Sequence, residues 1–198
     1  MTSRKKVGAV QMATGPNVNA NLFEAERLIK EAAQNGAGLV VLPENFAFMG
    51  KRGEDQLPLR EDTTGGPLQA FLSRVAKQNG VWLVGGTIPM LAHDRGRVRA
   101  ACLVVNDQGE PVARYDKIHL FDVSLPGVDE RYHESATIES GEGVVVIDSP
   151  FGRLGIAVCY DLRFPELFRR MLDDGMEMLA VPSSFTAITG KAHWETLV

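Results

Sequence analysis

Three side chains suited to acyl-transfer chemistry each follow a short apolar run. Cys159 comes directly after residues 154–158, Glu44 follows residues 39–43, and Lys117 closes a shorter strand-like run. Strand ends are where α/β proteins place their sites, so the three side chains are expected near one sheet edge. A thiol, a carboxylate and an ammonium group there supply a nucleophile, a base and a cation that stabilises an oxyanion. The pattern predicts acyl transfer.

Each of these residues also has an ordinary structural interpretation. A free cysteine is most often a small buried hydrophobe, which is the better reading for Cys102 inside its strand. Glu44 and Lys117 are equally well explained as solvated charges at strand ends. For Cys159, a helix predicted to begin at Pro165 favours the thiolate and predicts a pKa below the free value of about 8.5.

Histidines offer a rival arrangement, a cysteine–histidine hydrolase with His119 or His133 as the base. That alternative gives Glu44 and Lys117 no role. The four histidines are scattered, without paired cysteines or an H-E-x-x-H motif, so a zinc site is not expected.

The segments between these residues alternate between strand-like and helical periods. Strands are predicted over 6–12, 38–42, 81–85, 98–106, 112–116, 144–148, 154–159 and 178–182. Helices are predicted over 21–34, 67–78 and 165–172, and residues 107–110 join two strands as a hairpin. This order indicates an α/β fold with mixed sheets. The long stretch 118–143 is interpreted as a functional loop.

Composition narrows the class of protein. The 198 residues carry a formal net charge of −4 with a pI near 5.6, which is unlike a nucleic-acid-binding surface. No apolar run is long enough to span a bilayer or to act as a signal peptide, and the two cysteines imply no disulfide framework. A soluble, cytoplasmic globular protein is therefore expected. A helical pattern that starts at 191 and stops at 198 suggests that the chain is truncated at its C-terminus.

Three motifs in this order resemble the nitrilase superfamily of carbon–nitrogen hydrolases: Pro43-Glu44-Asn45, Tyr115-Asp116-Lys117-Ile118-His119-Leu120, and the run 159–166 that begins Cys159-Tyr160-Asp161. The resemblance implies one domain over residues 1–198, a four-layer α-β-β-α sandwich, and missing C-terminal strands. It implies a catalytic set with these members: Glu44 as general base, Lys117 as oxyanion stabiliser, Cys159 as nucleophile, Glu134 orienting the lysine, and the backbone N–H of Tyr160 in the oxyanion hole.

Residues 182–195 are most similar to the branch that contains deaminated glutathione amidase and ω-amidase. This likeness implies hydrolysis of a terminal primary amide of a small 2-oxo acid, best matched by deaminated glutathione, to the acid and ammonia through a cysteine thioester. Arg163 and Arg131 are candidates to bind a substrate carboxylate. The resemblance implies neither a metal nor an organic cofactor. It does imply a homodimer or a larger homo-oligomer. The alternatives are an ω-amidase and a non-catalytic binding module on the same fold.

Overall fold

The computed structural model describes residues 5–124 and 131–198, and its larger sheet has six strands. They are β1 (Lys6–Ala9), β2 (Ala37–Val41), β3 (Trp82–Val84), β4 (Ile88–Leu91), β5 (Val98–Val105) and β6 (Pro111–Asp116). The spatial order is β1-β2-β3-β5-β4, with β6 also paired to β5. The pairs β1–β2 and β2–β3 are parallel, whereas β5 runs antiparallel to β3, β4 and β6. The sheet is mixed, as predicted.

Two smaller sheets complete the β structure. One consists of β7 (Asp122–Ser124) paired antiparallel with β8 (Arg131–His133). The three-stranded sheet has the order β11-β10-β9 and is formed by β9 (Val146–Ser149), β10 (Gly152–Ile156) and β11 (Met178–Ala180). Strands β10 and β11 are parallel, so their carboxyl ends lie at the same edge.

Three helices cover the outer faces of the two main sheets: α1 (Val18–Gln34), α2 (Pro67–Asn79) and α3 (Pro165–Asp173). A fourth helix, α4 (Ala187–Leu197), follows β11 and has Thr189 as its buried residue. Ile29 of α1 and Leu72 of α2 are fully buried in one core with the larger sheet. Leu167 and Met171 of α3 pack on the opposite side, against Ala157 beyond β10.

A second core lies between the sheets, where Val104 and Tyr115 of the larger sheet meet Leu154 and Ile156 of the smaller one. The order helices, sheet, sheet, helix gives the α-β-β-α sandwich, so the predicted fold class is confirmed. Burial of the two inner sheet faces explains why their strands are apolar almost throughout.

The predicted strands and helices are confirmed apart from their ends. Helix α1 begins three residues earlier than predicted, because Asn17 caps it by accepting a hydrogen bond from Ala20 N at 3.1 Å. The prediction missed the short strands β4, β7 and β8. Part of the predicted functional loop, residues 125–130, lies outside the described residues. Within the residues that are described, no helix has the length and apolar character needed to cross a membrane.

Candidate active site

Glu44 lies three residues past β2 at the carboxyl edge of the larger sheet, and its side chain is only 4% exposed. The next residue, Asn45, has a φ of 56°, an uncommon left-handed conformation outside glycine. Its backbone N–H donates to Thr87 Oγ1 at 2.8 Å, which holds this turn. The carboxylate is therefore fixed by the chain on both sides.

Lys117, just past β6, is 1% exposed and donates to two carboxylates. Its Nζ lies 2.8 Å from Glu44 Oε1 and 2.9 Å from Glu134 Oε1. Glu134 begins the short 3₁₀ turn Glu134–Ala136, and its Oε2 accepts from Phe121 N at 2.6 Å. The structure thus brings three of the predicted site residues into one buried ion cluster.

Cys159 joins this cluster from the smaller sheet. It follows β10, starts the 3₁₀ turn Cys159–Arg163, and has a φ of 48°. Its N–H donates to Pro182 O at 2.9 Å, and its thiol is near enough to the Glu44 carboxylate for each group to change the pKa of the other. A non-glycine residue in this conformation costs about 1–3 kcal/mol, so the surrounding contacts must hold the turn in place.

Asp161 supplies those contacts and is fully buried. Its Oδ2 accepts from Val158 N at 2.8 Å and from the Tyr115 hydroxyl at 2.7 Å. Its Oδ1 accepts from His119 N at 3.0 Å and lies 2.6 Å from His119 Nδ1. Asp161 therefore ties the turn that carries Cys159 to the segment that follows Lys117.

The charges of the cluster determine its protonation. Burial disfavours ionised Glu44, but the Lys117 ammonium group and hydrogen bonds from Lys117, Ser184 and Cys159 outweigh burial and lower the pKa of Glu44. Burial also opposes the charge of Lys117, yet Glu44 and Glu134 raise its pKa. Burial and the neighbouring Glu44 charge raise the pKa of Glu134. Glu44 and Lys117 consequently form an ion pair at neutral pH.

The predicted low pKa of Cys159 is wrong. Burial, and then the Glu44 carboxylate, raise the pKa of the thiol well above its ordinary value, while Lys117 acts in the opposite direction. The prediction considered only the helix that begins at Pro165 and could not include a carboxylate from another strand. The resting nucleophile is a protonated thiol beside an ionised base.

A cavity of about 900 Å³ opens over this cluster and is lined by Glu44, Lys117, Glu134 and Cys159. The three residues predicted to bind substrate also line it: Tyr160, Arg163 and Arg131. The Tyr160 amide follows Cys159 at the start of a 3₁₀ turn, where backbone N–H groups have no partner within the helix.

The two arginines differ in how firmly they are held. The Arg163 guanidinium lies 5.7 Å from the centre of the Tyr160 ring, and its Nη2 is 3.0 Å from His193 Nδ1. Arg131 is exposed on β8. In the described parts of the chain, no group of three or more His, Cys, Asp or Glu is placed to hold a metal ion.

Two further polar residues of the site received no role from the sequence, namely Asp161 and Ser184. Ser184 Oγ donates to Glu44 Oε2 at 2.6 Å, although 140 positions separate the two residues. Both residues lie inside the motifs that carry the family resemblance, and that was the only available signal. His119, the rival base, is turned toward Asp161 and stacks on Phe164 with ring centres 3.7 Å apart.

Comparison with known proteins agrees with this architecture. The chain is 41% identical to a deaminated glutathione amidase from Yersinia enterocolitica over 193 residues, covering 97% of this chain and 67% of the relative. It is 39% identical to omega-amidase NIT2-A of Xenopus laevis over 192 residues, covering 97% and 68%. The crystal structure of the C. elegans NitFhit protein superposes with a TM-score of 0.86 at 33% identity, covering 96% of this chain and 46% of that one. The carbon-nitrogen hydrolase family model matches residues 6–198, and the chain belongs to that family.

Proposed function

We propose that this protein is an amidase that hydrolyses the amide of an anionic 2-oxo acid, with deaminated glutathione as its best substrate. The observation that carries the proposal is the buried Lys117 ammonium group, 2.8 Å from Glu44 and 2.9 Å from Glu134 at the wall of the cavity that also holds the Cys159 thiol. The relatives named deaminated glutathione amidase and omega-amidase support the choice of substrate class.

In the acylation step, Glu44 accepts the thiol proton while the Cys159 sulfur attacks the amide carbon. The carbonyl oxygen becomes an oxyanion, stabilised by the Lys117 ammonium group and the Tyr160 N–H; one such donor contributes about 10²–10³ in rate. The C–N bond then breaks, and Glu44 returns its proton to the leaving nitrogen. A thioester on Cys159 and a free amine result.

In the deacylation step, Glu44 is again ionised and accepts a proton from the attacking water. A second tetrahedral oxyanion forms at the same donors. The C–S bond breaks, the acid product leaves, and the Cys159 sulfur recovers the proton from Glu44. General acid–base catalysis of this kind contributes about 10²–10⁴ in rate. Glu134 acts through Lys117, because it fixes the ammonium group between two carboxylates.

The leaving group depends on the substrate. In 2-oxoglutaramate the amide is primary and the amine released is ammonia, as expected from the sequence. In deaminated glutathione the amide nitrogen belongs to the cysteinylglycine part, so the amine released is that dipeptide, and the expectation of ammonia is wrong for this substrate. Both substrates have a 2-oxo-acid carboxylate, and deaminated glutathione has a second carboxylate. Arg163 and Arg131 line the cavity and are the proposed partners of these carboxylates.

The test is a comparison of amide substrates on the purified chain. Formation of the carboxylic acid product of each substrate is measured for deaminated glutathione, 2-oxoglutaramate and a neutral aliphatic amide, with Cys159→Ala as the inactive control. We expect the highest kcat/KM for deaminated glutathione, because its remote part offers more binding energy. A preference for 2-oxoglutaramate would make the protein an ω-amidase with the same chemistry. Hydrolysis of the neutral amide alone would refute the substrate class.

The proposal also includes the cellular location and the oligomeric state of the enzyme. A nucleophilic thiol must stay reduced, which favours the cytoplasm, where disulfides are rare. The family resemblance implies a homodimer or a larger homo-oligomer, and the proposal includes that state. Light scattering coupled to size exclusion measures that state, and a monodisperse monomer at assay concentration would contradict it.

A further inference from the structure

Ser184 contacts the base of the proposed active site and lies beside its nucleophile. Its hydroxyl donates to Glu44 Oε2 at 2.6 Å. Its backbone N–H acts on the Cys159 thiol in the direction that lowers the pKa of that thiol. No role was assigned to it by the sequence.

The path of the chain explains how Ser184 reaches both groups. Ala157 N donates to Ala180 O at 3.1 Å, and Cys159 N donates to Pro182 O at 2.9 Å. These bonds continue the parallel pairing of β10 with β11 past the ends of both strands. Ser184 lies two residues beyond Pro182, so its backbone is held in register with the cysteine turn.

Glu44 belongs to the other sheet, and its position relative to Cys159 depends on contacts that cross between the sheets. The groups that face its carboxylate are the Lys117 ammonium group after β6, the Cys159 thiol and the Ser184 hydroxyl, with Glu134 on the far side of Lys117. Lys117 lies in the same sheet as Glu44 and fixes only Oε1. Oε2 is held by Ser184.

We infer that Ser184 is a positioning residue that locks the Glu44 carboxylate against the Cys159 sulfur by bridging the two sheets. The inference rests on the proposed function, in which those two groups exchange a proton. It also makes Ser184 a determinant of base strength, because a hydroxyl that donates to a carboxylate stabilises the ionised form.

The test is the pH dependence of Cys159 alkylation by iodoacetamide, measured on the full chain from about pH 3 to about pH 8, a range that starts below ordinary carboxyl pKa values because the pKa of Glu44 is lowered. Peptide mass spectrometry separates Cys159 from the buried Cys102. Ser184→Ala removes the hydroxyl, Ser184→Thr keeps it, and Ser183→Ala is the matched control, because the Ser183 hydroxyl donates to Val181 O.

We expect Ser184→Ala to shift the acidic limb of the profile to higher pH, with alkylation about ten-fold slower than wild type on that limb, since a hydrogen bond to a charged group is lost. Ser184→Thr and Ser183→Ala should retain the wild-type limb. Thermal unfolding confirms that each variant is folded. A Ser184→Ala profile with the wild-type shape, merely lower at every pH, would overturn the inference, because a structural role alone predicts that result.

Alkylation requires no amide substrate, so the experiment distinguishes a failure of this inference from a failure of the proposed function. If wild type hydrolyses 2-oxo-acid amides but Ser184→Ala keeps the wild-type limb, this inference is wrong and the proposed function stands. If the limb shifts while no amide is hydrolysed, the proposed function is wrong and the coupling of Ser184 to Glu44 and Cys159 stands.

Discussion

Replacing Lys117 by methionine tests the charge cluster most directly. The side chain is 1% exposed and lies between Glu44, which is 4% exposed, and Glu134, at 2.8 Å and 2.9 Å. Methionine preserves much of the volume and removes the charge, which leaves a buried carboxylate without its cation. Breaking a buried ion pair from one side costs about 3–5 kcal/mol. For a chain of this size that corresponds to a fall in Tm of roughly 6–20 °C.

The sign of the pH dependence sharpens this prediction. In wild type the pKa of Glu44 is lower in the folded protein than in the unfolded chain, and this difference stabilises the folded protein. The stabilisation is complete above the pKa of the unfolded carboxyl group, and it is lost as the pH falls through the pKa of Glu44 in the folded protein. In Lys117→Met, burial is left to raise the pKa of Glu44, so that the variant loses stability as pH rises. The difference in unfolding free energy should therefore grow between about pH 5 and about pH 8.

Denaturant unfolding at several pH values measures this difference, and the double variant Lys117→Met with Glu44→Gln is the control. The double variant has no buried Glu44 charge and should be more stable than Lys117→Met near neutral pH, although it is equally inactive. In both variants kcat falls by at least about 10²–10³, the contribution of one oxyanion donor. A Lys117→Met protein as stable as wild type at every pH would show that the cluster is not charged as argued.

Other substitutions separate the remaining roles. Cys159→Ala should abolish turnover and the acyl adduct that mass spectrometry detects after quenching, and full turnover in this variant would exclude the mechanism. Cys102 lies in the core between the sheets, so Cys102→Ala should keep kcat and lower only the Tm. Glu134→Gln should lower kcat about ten-fold in steady-state assays, less than loss of Lys117, and an unchanged kcat would remove Glu134 from the mechanism. Arg163→Lys should raise KM for the anionic amides more than it lowers kcat, because lysine cannot bind a carboxylate in bidentate fashion; equal KM values would assign that role elsewhere.

Much of the fold could be predicted because the central strands β2, β3 and β5 are largely buried and therefore mostly apolar. The runs that end near Glu44, Lys117 and Cys159 are recognisable for that reason, and a charge or thiol directly after such a run is a visible local signal. The strands β4, β7 and β8 have three or four residues each, too few for a period to emerge.

The contacts within the site could not be predicted in the same way. Ser184 donates to a carboxylate 140 positions away, and Asp161 accepts from Tyr115 46 positions away. Such bonds depend on how two sheets are packed against each other, and no local pattern encodes that packing. The prediction of a lowered pKa for Cys159 was wrong for the same reason, because the main determinants of that pKa are burial and a carboxylate from the other sheet.

The raised pKa of Cys159 suits the chemistry rather than opposing it. A thiolate beside ionised Glu44 would add a negative charge next to the buried carboxylate that Lys117 already pairs. With the thiol protonated, acylation needs only a proton shift from the sulfur to Glu44, so no net charge enters the site. The negative charge then moves from the sulfur to the amide oxygen, where Lys117 and the Tyr160 N–H can stabilise it. Ser184 and Lys117 keep Glu44 a weak enough base to return its proton to the leaving amine, which is the step that commits the substrate to the thioester.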